Sequence, residues 1–244
     1  MPSAVDIAAR LMADDLFRLN VVSQNLANAG TAGYKRELVA TRPFVEYLQA
    51  GMPVAGAAPW LPIALPSATG VVDHRQGTLM RTGNPLDLAI EGDGFFELAA
   101  GTGTVYTRQG SFRLDGQGRL VSPAGLPVMG MSGELLLAGA QPQIDAQGRV
   151  SEGGRQVGQI KVVRFARPAG LVPLGAGLYR AGAAGESAAD TAQLRQAFLE
   201  SSNVAALPEM VRMIELVRRF EAAQKIVQNY DGMLGGAIRT LGEF

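Results

Sequence analysis

The 244-residue sequence contains no cysteine, one histidine and one tryptophan. Without cysteine there is no disulfide framework, no thiolate metal site and no cysteine nucleophile. His74 alone cannot build a His-rich metal site, and no serine stands in a nucleophile-elbow context. Charge is scarce as well, at 18% of residues, and 22 basic side chains balance 22 acidic ones. That balance lacks the basic excess or stripe of a nucleic-acid binder. No apolar run approaches the roughly 18–20 residues needed to span a bilayer, so direct membrane insertion is not expected. The start of the chain lacks the basic segment, apolar stretch and cleavage site of a secretory signal. These absences alone would place the protein in the cytoplasm.

Catalytic and cofactor motifs are missing in the same way. Asp87, Glu91 and Asp93 cluster in sequence, but Asp87 and Glu91 read as the polar face of a strand. Asp93 precedes Gly94 in a turn, where aspartate bonds its own backbone, and no spaced acidic loop for calcium surrounds it. Gly101-Thr102-Gly103 and Gly116-Gln117-Gly118 open no helix and lack the phosphate-binding lysine, so they read as turns. No catalytic residue, metal or cofactor is expected, and the chain is not expected to be an enzyme.

What is present is apolar and glycine-rich: 47% hydrophobic residues and 31 glycines. The pattern divides into a helix at each end and β structure between, an α+β fold. The first helix is expected over residues 4–28. Its apolar positions Val5, Ala8, Met12, Leu16, Leu19, Val22 and Leu26 step by 3, 4, 4, 3, 3 and 4. The last helix is expected over 207–241, with Pro208 in its first turn and Gly232, Gly235 and Gly236 weakening its end. There Met213, Val217, Phe220, Ala223, Val227, Tyr230, Leu234, Ile238 and Leu241 step by 4, 3, 3, 4, 3, 4, 4 and 3. Both means are about 3.5, the spacing of a coiled-coil seam. Ile214, Ile226 and Met233 widen the apolar face of the last helix, which implies more than one neighbour. Such seams are not stable alone in water. Either the two ends pair as an intramolecular antiparallel hairpin, or they pack with helices of other subunits.

The predicted organisation is residues 1–32 for the first helix, 33–70 for an extended connector and 71–190 for a β domain. A return connector over 191–206 and the final helix over 207–244 complete it. The connector carries Pro43, Pro53, Pro59, Pro62 and Pro66. In the β domain, Leu86, Leu88 and Ile90 alternate with Asp87, Ala89 and Glu91 before a turn into Phe95–Leu98. Residues 111–121 read as a hairpin around Asp115-Gly116-Gln117-Gly118. Asp115–Leu120 is echoed by Asp145–Val150, and Pro123–Leu126 by Pro168–Leu171, at different offsets. The mismatch points to recurrent turn chemistry rather than a repeat.

Two stretches carry a resemblance. Residues 20–36, with Asn25, Leu26, Ala27, Asn28, Thr31, Gly33 and Tyr34, resemble the N-terminal signature of the flagellar rod and hook axial family. Residues 76–96, from Gln76-Gly77-Thr78-Leu79 through Thr82–Asp87 to Gly94-Phe95-Phe96, resemble that family's core domain. Tyr106-Thr107-Arg108, Gly110-Ser111-Phe112 and Leu199–Val204 extend the likeness in order along the chain. Arg218–Glu221 and Leu126–Gly130 resemble a proximal-rod subunit, whereas Gly158–Lys161, Gly177–Tyr179 and Asp231–Leu234 lean to a distal one. The proximal reading is preferred.

The resemblance implies a basal-body rod subunit whose terminal helices stack into a tube around an export channel, with the β domain as an outer shell. It implies partners among copies of itself, neighbouring axial proteins and the flagellar type III export apparatus. It also implies a periplasmic location reached without a cleaved signal. The expected subunit interface is Met12, Leu16, Leu19, Val22, Asn25, Leu26 and Asn28 with Met213, Val217, Phe220, Val227, Tyr230 and Leu234. Asn25 and Asn28 share a helix face and are expected to bond a neighbour's backbone, unless Asn28 merely ends the helix. A reading of another class is a secreted β-domain binding module on a coiled-coil stalk.

Overall fold

The computed structural model describes residues 4–40, 69–101, 103–139, 141–188 and 192–242. The prolines of the expected connector, Pro43 to Pro66, lie outside the described residues. The elements are α1 (Ala4–Ala27), β1 (Glu37–Ala40), β2 (Thr69–Val72), β3 (Leu79–Arg81), β4 (Leu88–Glu91), β5 (Phe95–Ala100) and β6 (Gly103–Thr107). There follow β7 (Arg113–Leu114), β8 (Leu120–Val121), β9 (Met129–Gly130), β10 (Gly133–Glu134), β11 (Gln143–Ile144), β12 (Arg149–Glu152) and β13 (Arg155–Gln159). The chain ends with β14 (Val162–Phe165), β15 (Val172–Gly175), β16 (Leu178–Arg180), β17 (Glu186–Ala188), β18 (Gln193–Gln196), β19 (Phe198–Glu200) and α2 (Ala206–Gly242). The fold is α+β, with two terminal helices and a mostly β centre.

The chain divides into two compact units. Among the described residues, one comprises 4–27, 37–40, 69–71 and 205–242; the other comprises 28–36 and those within 72–204. In the helical unit, α1 and α2 pack on each other and β1 pairs with β2. Pro208 falls in the first turn of α2, as expected. The helix passes through Gly232, Gly235 and Gly236 and ends at Gly242, within one residue of the expected limit.

In the β unit, a six-stranded sheet runs in the order β15-β16-β6-β5-β14-β17. Strand periodicity of two gives each face its own core. Phe96, Leu98 and Val105 join the larger core with Leu88, Ile90 and Val128. Phe95, Tyr106, Val163, Phe165 and Tyr179 form a smaller aromatic core on the other face. Each such buried side chain contributes on the order of 1.5–3 kcal/mol.

The hairpin expected at 111–121 is present as β7 paired with β8. The two Asp-x-x-Gly-Arg loops are the same device. Asp115 Oδ1 accepts from Gln117 N (2.8 Å) and Arg119 N (2.9 Å), and Asp145 Oδ1 accepts from Gln147 N (3.0 Å) and Arg149 N (2.9 Å). Gly118 and Gly148 both take φ 77°, which closes each turn.

Two expectations need correcting. Leu88, Ala89 and Ile90 of β4 are all buried, so this strand is covered on both faces instead of alternating. It pairs with β18 rather than folding back on β5. Residues 193–196 and 198–200, within the stretch expected as a return connector, are strands: β18 pairs with β4 and β19 with β3. Leu194 supplies the reason, since it is buried in the larger core.

Candidate functional site

The helical unit places the expected interface residues on two different sides. Along α2, Glu209 and Leu216 are buried while Met213, Phe220, Ala223, Val227 and Tyr230 are half-buried. These positions step by 4, 3, 4, 3, 4 and 3, one less exposed side along the helix. It runs through Leu216 (8% exposed) in place of Val217 (40%), while Met213, Phe220, Ala223, Val227 and Tyr230 keep the places expected of them. On α1 the least exposed positions are Asp15, Val21, Val22 and Asn25, with Met12, Leu19 and Leu26 half-buried. Leu16, expected in the seam, is 53% exposed. The Asp15 carboxylate lies 3.6 Å from the Arg219 guanidinium, which ties the two helices together. The side chain of Leu234 lies outside the described residues.

Asn25 serves its own chain. Its amide donates to Glu37 O (2.7 Å) and accepts from Glu37 N (2.8 Å), completing a buried two-way bond to β1. Asn28 accepts from Thr31 N at its carbonyl (3.0 Å) and from Thr31 Oγ1 at its side chain (3.2 Å), as a residue ending a helix does.

A second apolar face of the helical unit is left uncovered. Leu207, Met210, Val211, Ile214 and Val217 are 40% to 73% exposed, in the first three turns of α2. Leu16 and Phe17 of α1 are exposed too.

The β unit holds a different cluster, one the sequence reading did not single out. Glu200, 1% exposed, receives Lys35 Nζ (2.5 Å) and Gly77 N (2.8 Å) on Oε1, and Arg108 Nη1 (3.3 Å) on Oε2. Its carbonyl accepts from Gly33 N (2.7 Å). Lys35 Nζ also donates to Arg75 O (2.7 Å), and Arg108 Nη2 to Gly92 O (2.8 Å). The Arg108 guanidinium lies 5.2 Å from the centre of the Phe95 ring. Asn203 extends the network, accepting from Arg36 N (2.7 Å) and donating to Asp73 O (2.8 Å). Gly33 takes φ 68°, and a Cβ there would stand 2.5 Å from the Arg108 backbone, so only glycine fits. Burial pushes the Lys35 ammonium down from its usual range, with Glu200 opposing. The motifs at 31–36, 73–78, 106–108 and 199–203 thus meet at one place. Their signal in sequence was lone charges at the ends of apolar strands, read only as parts of motifs.

His74 borders this cluster, edge-on to Phe95 (5.6 Å) and Tyr179 (5.4 Å). Neither ring nitrogen meets a partner of good geometry. Burial first, then the Lys35 and Arg108 charges, lower its pKa to about 4. The folded state therefore holds a neutral ring, whereas the unfolded chain protonates near 6.5. Stability from this site is fully present above pH 6.5 and is lost as pH falls towards 4. Urea midpoints for wild type and His74→Phe, measured from pH 7 to 4, should diverge, with wild type losing more. Parallel curves would contradict this.

Asp87 is buried at a β-bridge to Ser111 just before β4, accepting from Thr82 Oγ1 (2.6 Å) and Asn84 Nδ2 (3.0 Å). Glu91 pairs with Arg195 (2.6 Å) and Asp93 with Arg164 (3.4 Å). Among the described residues no three His, Asp or Glu side chains gather to hold a metal ion. Nor is any helix there long and apolar enough to cross a membrane.

The molecule thus comprises a helix pair with an exposed apolar face and a β unit tied by buried charge, an architecture with no catalytic cluster among the described residues. Residues 6–35 match the family described as "Flagella basal body rod protein". Residues 89–161 match "Flagellar hook protein FlgE/F/G D1 domain", and 195–240 match "Flagellar basal body rod FlgEFG protein C-terminal". The chain is 35% identical over 243 residues to the flagellar basal-body rod protein FlgG of Bacillus subtilis, covering 89% of this chain and 90% of that one. It is 33% identical over 231 residues to FlgF of Caulobacter vibrioides, with 92% of each covered. FlgG of Borreliella burgdorferi is 31% identical over 268 residues, covering 96% and 97%. The chain belongs to the flagellar basal-body rod family and is a structural rod subunit. Relatives under both rod names fit its mixture of motifs.

Proposed function

We propose that the chain polymerises with copies of itself and with neighbouring axial proteins, through its terminal helices, into the tubular shaft of the rod. The observation that carries this is the apolar row Leu207, Met210, Val211 and Ile214, open to water after α1 and α2 have packed. A contiguous apolar patch of this kind marks an interaction surface. Val217, Leu16 and Phe17 are the further candidates for contact between subunits. Met12, Leu19, Leu26, Met213, Phe220, Val227 and Tyr230, half-buried in the seam, contribute their remaining surface. Val22, Asn25 and Leu216 hold the subunit together instead.

In this reading the shaft transmits torque and surrounds the export channel, and the subunit reaches the periplasm through the flagellar export apparatus. Tagged protein should copurify with basal bodies, and should stay in the cytoplasmic fraction of cells whose flagellar exporter is disabled. Periplasmic protein in those cells would overturn the route and favour the secreted binding module.

A further inference from the structure

We propose that the Lys35–Arg108–Glu200 cluster is a late-closing latch: it forms after the rate-limiting step of folding and then keeps the β unit from opening. This goes beyond the rod reading and stands without it.

The first ground is separation along the chain. Glu200 is 165 residues from Lys35, 123 from Gly77 and 92 from Arg108. Closing loops of that length precedes any reward from the contacts they bring together. The second ground is charge. Lys35 and Arg108 have 1% and 3% of their side chains exposed, as has Glu200 at 1%. A partly assembled state that buries both cations without the carboxylate carries unpaired charge, which costs more than leaving all three in water. The cluster is favourable only when complete, so it forms in one step with the docking of residues 197–203. Thr82 N on Ala197 O (2.9 Å) and Ser201 N on Thr78 O (2.8 Å) close alongside it. The third ground is where the segments come from. Residues 33–36 and 197–203 bracket the β unit, so its seal requires both ends of that unit.

A contact formed after the transition state governs unfolding and leaves refolding nearly unchanged. The test is stopped-flow refolding and unfolding of the full chain, read by near-ultraviolet circular dichroism, to which the packed aromatic core around Phe95, Tyr106 and Tyr179 contributes. Lys35→Met retains the Arg108–Glu200 pair and should fold. Its unfolding should accelerate on the order of 30-fold, with refolding changed by less than about twofold. Glu200→Gln should move the same way and further. If Glu200→Gln does not fold, Lys35→Met together with Asn203→Ala, which removes the adjoining bonds, supplies the second series. Refolding slowed by as much as stability is lost would place the cluster in the folding nucleus and overturn the proposal. Unchanged rates in both directions would overturn it equally.

Discussion

Glu200→Gln should destabilise the β unit by about 3–5 kcal/mol, the largest effect expected of any conservative change in it. The substitution keeps size and shape and removes one charge. Lys35 Nζ and Arg108 Nη1 would then remain buried without the carboxylate they both meet. Gly77 N could still find an amide oxygen, but a neutral acceptor does not offset two desolvated cations. The loss follows from unpaired charge and not from the number of hydrogen bonds. Hence a triple variant with methionine at 35, 108 and 200 should recover much of the stability, because apolar side chains of similar volume carry no desolvation penalty. Urea unfolding followed by near-ultraviolet circular dichroism separates the outcomes. A Glu200→Gln variant within about 0.5 kcal/mol of wild type would show that water reaches the cluster.

Both helices were legible because a period near 3.5 over seven and nine apolar positions is a strong local signal. Their ends were legible as well, since Ala27 and Ala206 lie within one residue of the expected limits. The buried side of α2 was less legible. Val217 and Leu216 fit the apolar spacing about equally, and only the packed partner decides between them. The pair of hydrogen bonds between the Asn25 amide and the Glu37 backbone depends on the chain returning to α1, which no helical pattern reveals. In β4 the alternation of Leu88 and Ile90 with Ala89 and Glu91 suggests one buried face, yet Ala89 is buried as well. The charge cluster was least legible. Its three members come from segments 92 and 165 residues apart, and no periodicity joins them.

The outer face of α2 carries the largest expected effect on assembly. Ile214 and Leu216 are two residues apart and therefore about 200° apart around the helix. Ile214 is 55% exposed and Leu216 8%. Aspartate at 216 puts a charge into the packed seam and should unfold the helical unit, with loss of several kcal/mol. Aspartate at 214 meets water in the single subunit and should change its stability by less than about 0.5 kcal/mol. In the rod, the same charge would enter an apolar contact repeated at every subunit. The decisive measurement is incorporation of Ile214→Asp into purified basal bodies, alongside thermal unfolding of the isolated subunit. The account predicts normal unfolding with no incorporation and no motility. Wild-type incorporation and motility from this stable variant would contradict the claim that the rod is built through this face.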